Sequence, residues 1–187
     1  FSARSVAFVR AVFIEAVLRH GQHLGRKLRG AQHRLQRDRF RGHIRAAREI
    51  GKPLIIHTRS AAEDTIKILR EEDAGAIGGV FHCFTESMEV AQQAMDLGFH
   101  ISFSGIVTFK NAVDLKQVAR TVPLERMLVE TDSSYLAPVP NRGKRNEPAY
   151  VRHVAEEIAR LREIDTEEVA AATTANFFHL FATATPQ

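Results

Sequence analysis

Four short apolar runs recur along the chain, beginning near residues 53, 77, 99 and 126, with amphipathic stretches between them. Strand and helix alternating at that spacing are βα units of a parallel sheet. The first run, Pro53-Leu54-Ile55-Ile56-His57, is continuously apolar, as strands buried on both faces are. Ile77–His82, the alternating Phe99–Ser104 and Arg126–Thr131 supply the other three. Helices are predicted over Gln36–Ile50, Ala61–Glu72, Ser87 to Gly98, Asn111–Val122 and Pro148–Arg162. Ser87 serves as an N-cap, Gly98 as a stop, and Pro148 sits in the last helix's first turn. Asp165 and Glu168 read as a capping-box variant that opens a further helix through Phe178 or beyond. A doubly wound sheet and a (β/α)8 barrel both fit this rhythm. A full barrel needs eight units and about 250 residues.

In parallel α/β folds, chemistry gathers at the carboxyl ends of the strands. Here those ends carry His57-Thr58-Arg59, His82-Cys83, Ser102-Phe103-Ser104 and Glu130-Thr131-Asp132. Two imidazoles and a carboxylate are the donors that bind Zn²⁺, Mn²⁺ or Mg²⁺. Either histidine alone fits a hydrogen-bonded structural residue better than a ligand. Two at matching strand ends, with Asp132 beside them, point to a metal. Cys83 fits a small buried hydrophobe better than a thiolate ligand. Arg59 has the fork to hold a phosphate, and an ion pair serves it equally well. The segment Asn141-Arg142-Gly143-Lys144-Arg145-Asn146, within the Pro-, Ser- and Gly-rich loop 132–146, is either a phosphate-binding lid or a solvated charge run. His100 and His153 read as structural or exposed.

Charge divides the chain. Residues 1–50 carry 12 Lys and Arg against 3 Asp and Glu, whereas residues 51–187 carry 14 against 19. The basic part suggests nucleic acid. Residues 1–33 do not join the strand–helix rhythm, although Val9, Val12, Phe13, Ala16 and Val17 would line one helix face. The single cysteine excludes an internal disulfide framework and suits a reducing, cytoplasmic setting. No apolar run approaches the roughly 18 residues of a membrane span.

The strings Pro53–Arg59, Phe81-His82-Cys83-Phe84-Thr85, Ile101–Gly105 and Leu128–Ser133 resemble, in order and spacing, the TatD family of metal-dependent deoxyribonucleases. So do Tyr135-Leu136-Ala137-Pro138, running into Arg142–Pro148, and the closing Thr173-Thr174-Ala175-Asn176-Phe177-Phe178. The resemblance implies a (β/α)8 barrel with a two-metal phosphodiesterase site. By it, His57 and His82 bind one metal and Asp132 the other, and Asp132 also orients or deprotonates the attacking water. Arg59, Arg142, Lys144 and Arg145 then contact substrate. The chain departs from the family pattern at several points. The His-x-His pair of the family's first strand and its bridging Glu, in a Gly-Glu-x-Gly-Leu-Asp setting, are absent. Glu15, His20 and His23 do not take those places. Ser60 stands where the family has Asp, and Ser134 where it often has Pro.

The resulting expectation is an α/β chain with about the last four βα units of an incomplete TIM-type barrel. Residues 35–187 form the TatD-like domain, and 1–34 a non-matching, helical or irregular basic segment. The first residue is Phe1, and the abrupt change in composition suggests a truncated or out-of-frame start. The expected function is metal-assisted cleavage of DNA phosphodiesters. It is impaired here because at most one metal, or a partial pair, is held. An amidohydrolase-like enzyme acting on a small carbonyl substrate and a non-catalytic remnant are the alternatives. Open barrel edges would allow self-association; membrane and disulfide-linked partners are not expected.

Overall fold

The computed structural model describes residues 14–19 and 26–182. Five parallel strands form one sheet in the order β1 (Ile14–Arg19), β2 (Leu54–Arg59), β3 (Gly79–Phe81), β4 (Phe99–Phe103), β5 (Met127–Val129). The helices are α1 (Arg26–Ile50), α2 (Ala62–Glu71), α3 (Met88–Asp96), α4 (Val113–Thr121), α5 (Val151–Arg162) and α6 (Thr166–Leu180). The strand order is strictly sequential. A doubly wound sheet reverses its order at a switch point; among the described residues the order does not reverse.

The four expected strands appear where the sequence put them; β2 starts one residue later and runs two residues further than expected, and the other three are trimmed by one or two residues at an end. The segment before residue 35 differs from expectation. It was read as helical or irregular, yet β1 lies in it and pairs with β2 over six residues, from Ile14 against Leu54 to Arg19 against Arg59. A short apolar run has no periodicity that separates strand from helix; Ala16 and Val17 were counted on a helix face and lie in this strand. Val9, Val12, Phe13, His20 and His23 fall outside the described residues. The helix predicted from Gln36 begins ten residues earlier, at Arg26. Ser87 caps α3 as expected, its hydroxyl accepting the Val90 N–H. Asp165 occupies the N-cap of α6 in extended conformation, but its side chain makes no capping bond, so the capping box is not formed.

Register decides what each face of the sheet carries. Side chains alternate along a strand, and paired residues of parallel neighbours share a face. Leu54, Ile56, Phe81, Phe99, Ile101, Phe103 and Met127 face outward and are buried against α1 to α5, where Phe40, Ile44, Leu69, Val118, Val154 and Ile158 meet them. On the other face lie Ile55, Val80 and Leu128, packed by Phe177, Phe178, Leu180 and Phe181 from the end of α6. Gly79 is obligatory at this junction. Its φ is 158°, and an added Cβ would sit 2.1 Å from the Leu54 carbonyl oxygen. Two polar side chains lock the helices to the sheet. The Asn176 amide donates to the Leu124 and Met127 carbonyls at 2.7 and 2.8 Å. The Arg162 guanidinium donates to Ala119, Arg120 and Val122, the otherwise unpaired carbonyls at the end of α4.

Replacing Asn176 with Ala leaves two part-buried carbonyls without these donors. It is expected to cost about 2 kcal/mol, read as a lower urea midpoint at unchanged slope. His100, on the inner face, is 3% exposed. Burial first, then the charge of Arg126 and the neighbouring His179, lowers its pKa, partly offset by a hydrogen bond with the Gly79 backbone. The unfolded chain therefore takes up this proton before the folded one does. His100 then removes stability as pH falls through its unfolded pKa, near 6.5. The difference between the urea midpoints of wild type and His100→Gln should be constant above that pH, and wild type should lose stability relative to the variant as pH falls below it.

Candidate metal centre

The alternation that places Ile55, Val80 and Leu128 on the inner face places the residues two positions further on there as well. Those are His57, His82 and Glu130, with Ser102 from β4 between them. Backbone bonds extend the sheet ladder just far enough to hold them: the His82 N–H donates to the Ile56 carbonyl, and the Glu130 N–H to Phe103. The residues next to these positions leave the strands abruptly. Ser60, Cys83 and Asp132 all take left-handed backbone conformations, with φ of 54°, 47° and 57°. Non-glycine residues pay for that conformation, and it concentrates where a site must turn the chain sharply. Asp tolerates it better than most.

The side chains converge. Nδ1 of His57 and Nε2 of His82 are 3.0 Å apart. Nδ1 of His82 lies 3.2 Å from the Glu130 carboxylate. Ser102 donates its hydroxyl to the other Glu130 oxygen at 2.5 Å, a charge-assisted bond. One ligand atom each from His82, Glu130 and Asp132 lies within 4.8 Å of the others. His57, His82, Glu130 and Asp132 are half-buried, and Ser102 is buried. Of the three residues expected to bind metal, His82 and Asp132 fall in one cluster, and His57 joins them through His82.

Glu130 and Ser102 were not selected from the sequence as site residues. The signal was available: both have the parity of Leu128 and His100, and so face inward. Glu130 stands behind His82. By accepting the Nδ1 proton it fixes the tautomer and leaves Nε2 as a lone-pair donor, the carboxylate–imidazole arrangement found behind metal ligands. The donor set fits a divalent metal. It combines two imidazole nitrogens with carboxylate oxygens, half-buried, at spacings close to those that ligands of one ion adopt.

Cys83 adjoins this cluster without joining it. Burial pushes its thiol up to about 12; the Glu130 and Asp132 carboxylates add to that, and the Ser104 hydroxyl, 3.4 Å away, opposes it. Without a metal bound, the neutral thiol is favoured. His153, which was read as structural or exposed, pairs with Glu156 on α5.

The expected substrate contacts sit on loops beside the centre. Arg59 ends β2 and is exposed. Arg142 stacks its guanidinium 3.7 Å over the Phe109 ring, tying the basic loop to the turn Gly105–Thr108. Among the described residues, no carboxylate pairs with Arg59, Arg142, Lys144 or Arg145.

The chain is similar to several known proteins. Over 146 residues it is 59% identical to an uncharacterized metal-dependent hydrolase of Escherichia coli (strain K12), YcfH, covering 78% of this chain and 55% of that protein. Over 147 residues it is 33% identical to the 3'-5' ssDNA/RNA exonuclease TatD of Klebsiella pneumoniae (strain 342), covering 76% and 56%. The crystal structure of YJJV, a TatD homologue from Escherichia coli k12, superposes with a TM-score of 0.77 at 25% identity, covering 86% of this chain and 61% of that one. The chain thus spans little more than half the length of these proteins. The family model for TatD-related DNases matches residues 24–182, and the chain belongs to that family of metal-dependent hydrolases.

Proposed function

We propose that this chain carries one side of a TatD-type phosphodiesterase centre, that its sheet is an arc of a (β/α)8 barrel, and that its substrate is DNA. The observation that carries the reading is the convergence of His57, His82, Glu130 and Asp132 at the carboxyl ends of adjacent parallel strands. Basic side chains without acidic partners stand on the loops at the same end. His57 and His82 hold the metal, and Glu130 keeps the His82 lone pair directed at it. A divalent cation bound there lowers the pKa of a water and polarises a phosphoryl oxygen. Asp132 orients that water and accepts its proton. Arg59, Arg142, Lys144 and Arg145 hold the phosphates on either side of the scissile bond. Unpaired cationic groups of this kind favour an anionic substrate over the neutral carbonyl compound of the amidohydrolase alternative. The protein works in a reducing compartment such as the cytoplasm in this reading.

The His-x-His and bridging-Glu motifs of the family are missing from the sequence, so this chain holds one metal and turns over slowly. Titration with Mn²⁺ should give a stoichiometry of one per chain, lost in His82→Ala. Hydrolysis of bis-p-nitrophenyl phosphate should depend on the metal and fall at least about tenfold in Asp132→Ala. Binding of two ions with fast hydrolysis would overturn the impaired centre. Metal-independent hydrolysis, or a lactone cleaved faster than the diester, would overturn the phosphodiesterase reading itself.

A further inference from the structure

The loop after β5 contains a side chain that the proposed mechanism does not use. Tyr135 is 79% exposed, more than any other large hydrophobic residue named as exposed among those described. A single exposed aromatic is ordinary on a protein surface. This one differs in how firmly its backbone is held and in what surrounds it.

The Tyr135 N–H donates to the Asp132 carbonyl at 3.1 Å, closing a tight turn directly onto the candidate ligand. The Tyr135 carbonyl accepts from the Asn146 side-chain amide at 2.6 Å. That same amide holds the Thr131 carbonyl at 2.7 Å, and the Asn146 N–H holds Ser134. Asn146 is itself 2% exposed, so one buried side chain clamps both ends of the turn. The next residue, Leu136, is left-handed with φ of 58°. Its carbonyl lies where a Cβ on Gly105 would intrude, so the turn packs directly on the β4 loop. Thr108 from that loop accepts the Val139 N–H at 2.9 Å. The ring therefore projects into solvent from an anchored backbone, three residues from Asp132, on the loop that also carries Arg142, Lys144 and Arg145.

An exposed aromatic face flanked by unpaired cations is how proteins hold single-stranded nucleic acid. The ring stacks on a base, and the cations follow the phosphates. A duplex buries its base faces in its own stack and offers none to such a ring, except at an end. We propose that Tyr135 is the base-stacking residue of this site and selects single-stranded DNA over duplex. The inference rests on the phosphodiesterase reading above and adds to it the residue that determines strand specificity.

The test is fluorescence anisotropy of the full chain with labelled dT10 and with a blunt hairpin duplex, in EDTA and at fixed salt. Wild type should bind dT10 more tightly than the hairpin. Tyr135→Ala should lose roughly 5- to 100-fold in affinity for dT10, the worth of one stacked base, with little change for the hairpin. Tyr135→Phe keeps the ring and should keep the affinity, which separates stacking from loss of fold or of the hydroxyl. Lys144→Ala should weaken both ligands alike and flatten the salt dependence by about one charge. The proposal is overturned if Tyr135→Ala binds dT10 as wild type does, if it weakens both ligands equally, or if wild type binds no dT10. Hydrolysis of bis-p-nitrophenyl phosphate by the wild-type chain, which needs no base, reports the phosphodiesterase reading separately. Wild-type hydrolysis combined with unchanged dT10 binding by Tyr135→Ala sinks the stacking role alone.

Discussion

Everything at this centre depends on parallel register. Leu54 pairs with Gly79, Gly79 with Phe99 and Ile101 with Met127, and once those are fixed the alternation of side chains leaves no freedom. One face is committed to the helices. The other is apolar at its lower level, where Ile55, Val80 and Leu128 meet the α6 aromatics, and polar one level up, where His57, His82, Ser102 and Glu130 converge. A slip of one residue in β3 would bury His82 under the helices and expose Phe81 on the inner face. The apolar outer core therefore protects the chemistry by penalising every other register. Gly79 contributes from the same strand, because only a residue without a Cβ lets β2 and β3 approach there.

The histidines gain from being held rather than free. A ring that must find its orientation on binding loses affinity to the entropy of doing so. His82 has its Nδ1 proton committed to Glu130, and Glu130 is in turn fixed by Ser102. That relay crosses three strands and places the side-chain torsions of His82, Glu130 and Ser102 under mutual constraint.

Much of this could be read from the residues. Apolar runs ending in His57 and His82 marked both the strands and the residues that meet at the candidate site, because a buried strand and a polar terminus leave distinct traces in one dimension. Asp132 stood out for its loop. Glu130 did not, since an acidic residue at a strand end is ordinary until its parity with Leu128 is counted. Ser102 was quoted as part of a strand, but its partner is 28 residues away. The strand Ile14–Arg19 was missed for another reason. Glu15 and Arg19 interrupt a brief apolar run, and only pairing with β2, a tertiary contact, makes it a strand. Asp165 marked a helix start correctly and its own hydrogen bonding wrongly, which shows that an N-cap position and an N-cap bond are separate facts.

The basic excess near the N-terminus acquires a different meaning in three dimensions. Arg37 reaches Asp64, Arg41 reaches Glu71 and Glu72, Arg45 takes Glu72 in a two-point grip, and Arg48 pairs with Asp73. Each such surface pair contributes little stability by itself. Together they seat the last turns of α1 against α2 and its following turn, and they offset the charge of these four arginines locally. No acidic group among the described residues pairs with Arg59, Arg142, Lys144 or Arg145. These lie in the part of the chain that is net acidic by count, on the loops beside the half-buried carboxylates of the centre. A count of charges along the sequence points to one end of the chain; four of the arginines there are paired within the fold, whereas, among the described residues, Arg59, Arg142, Lys144 and Arg145 further along are not.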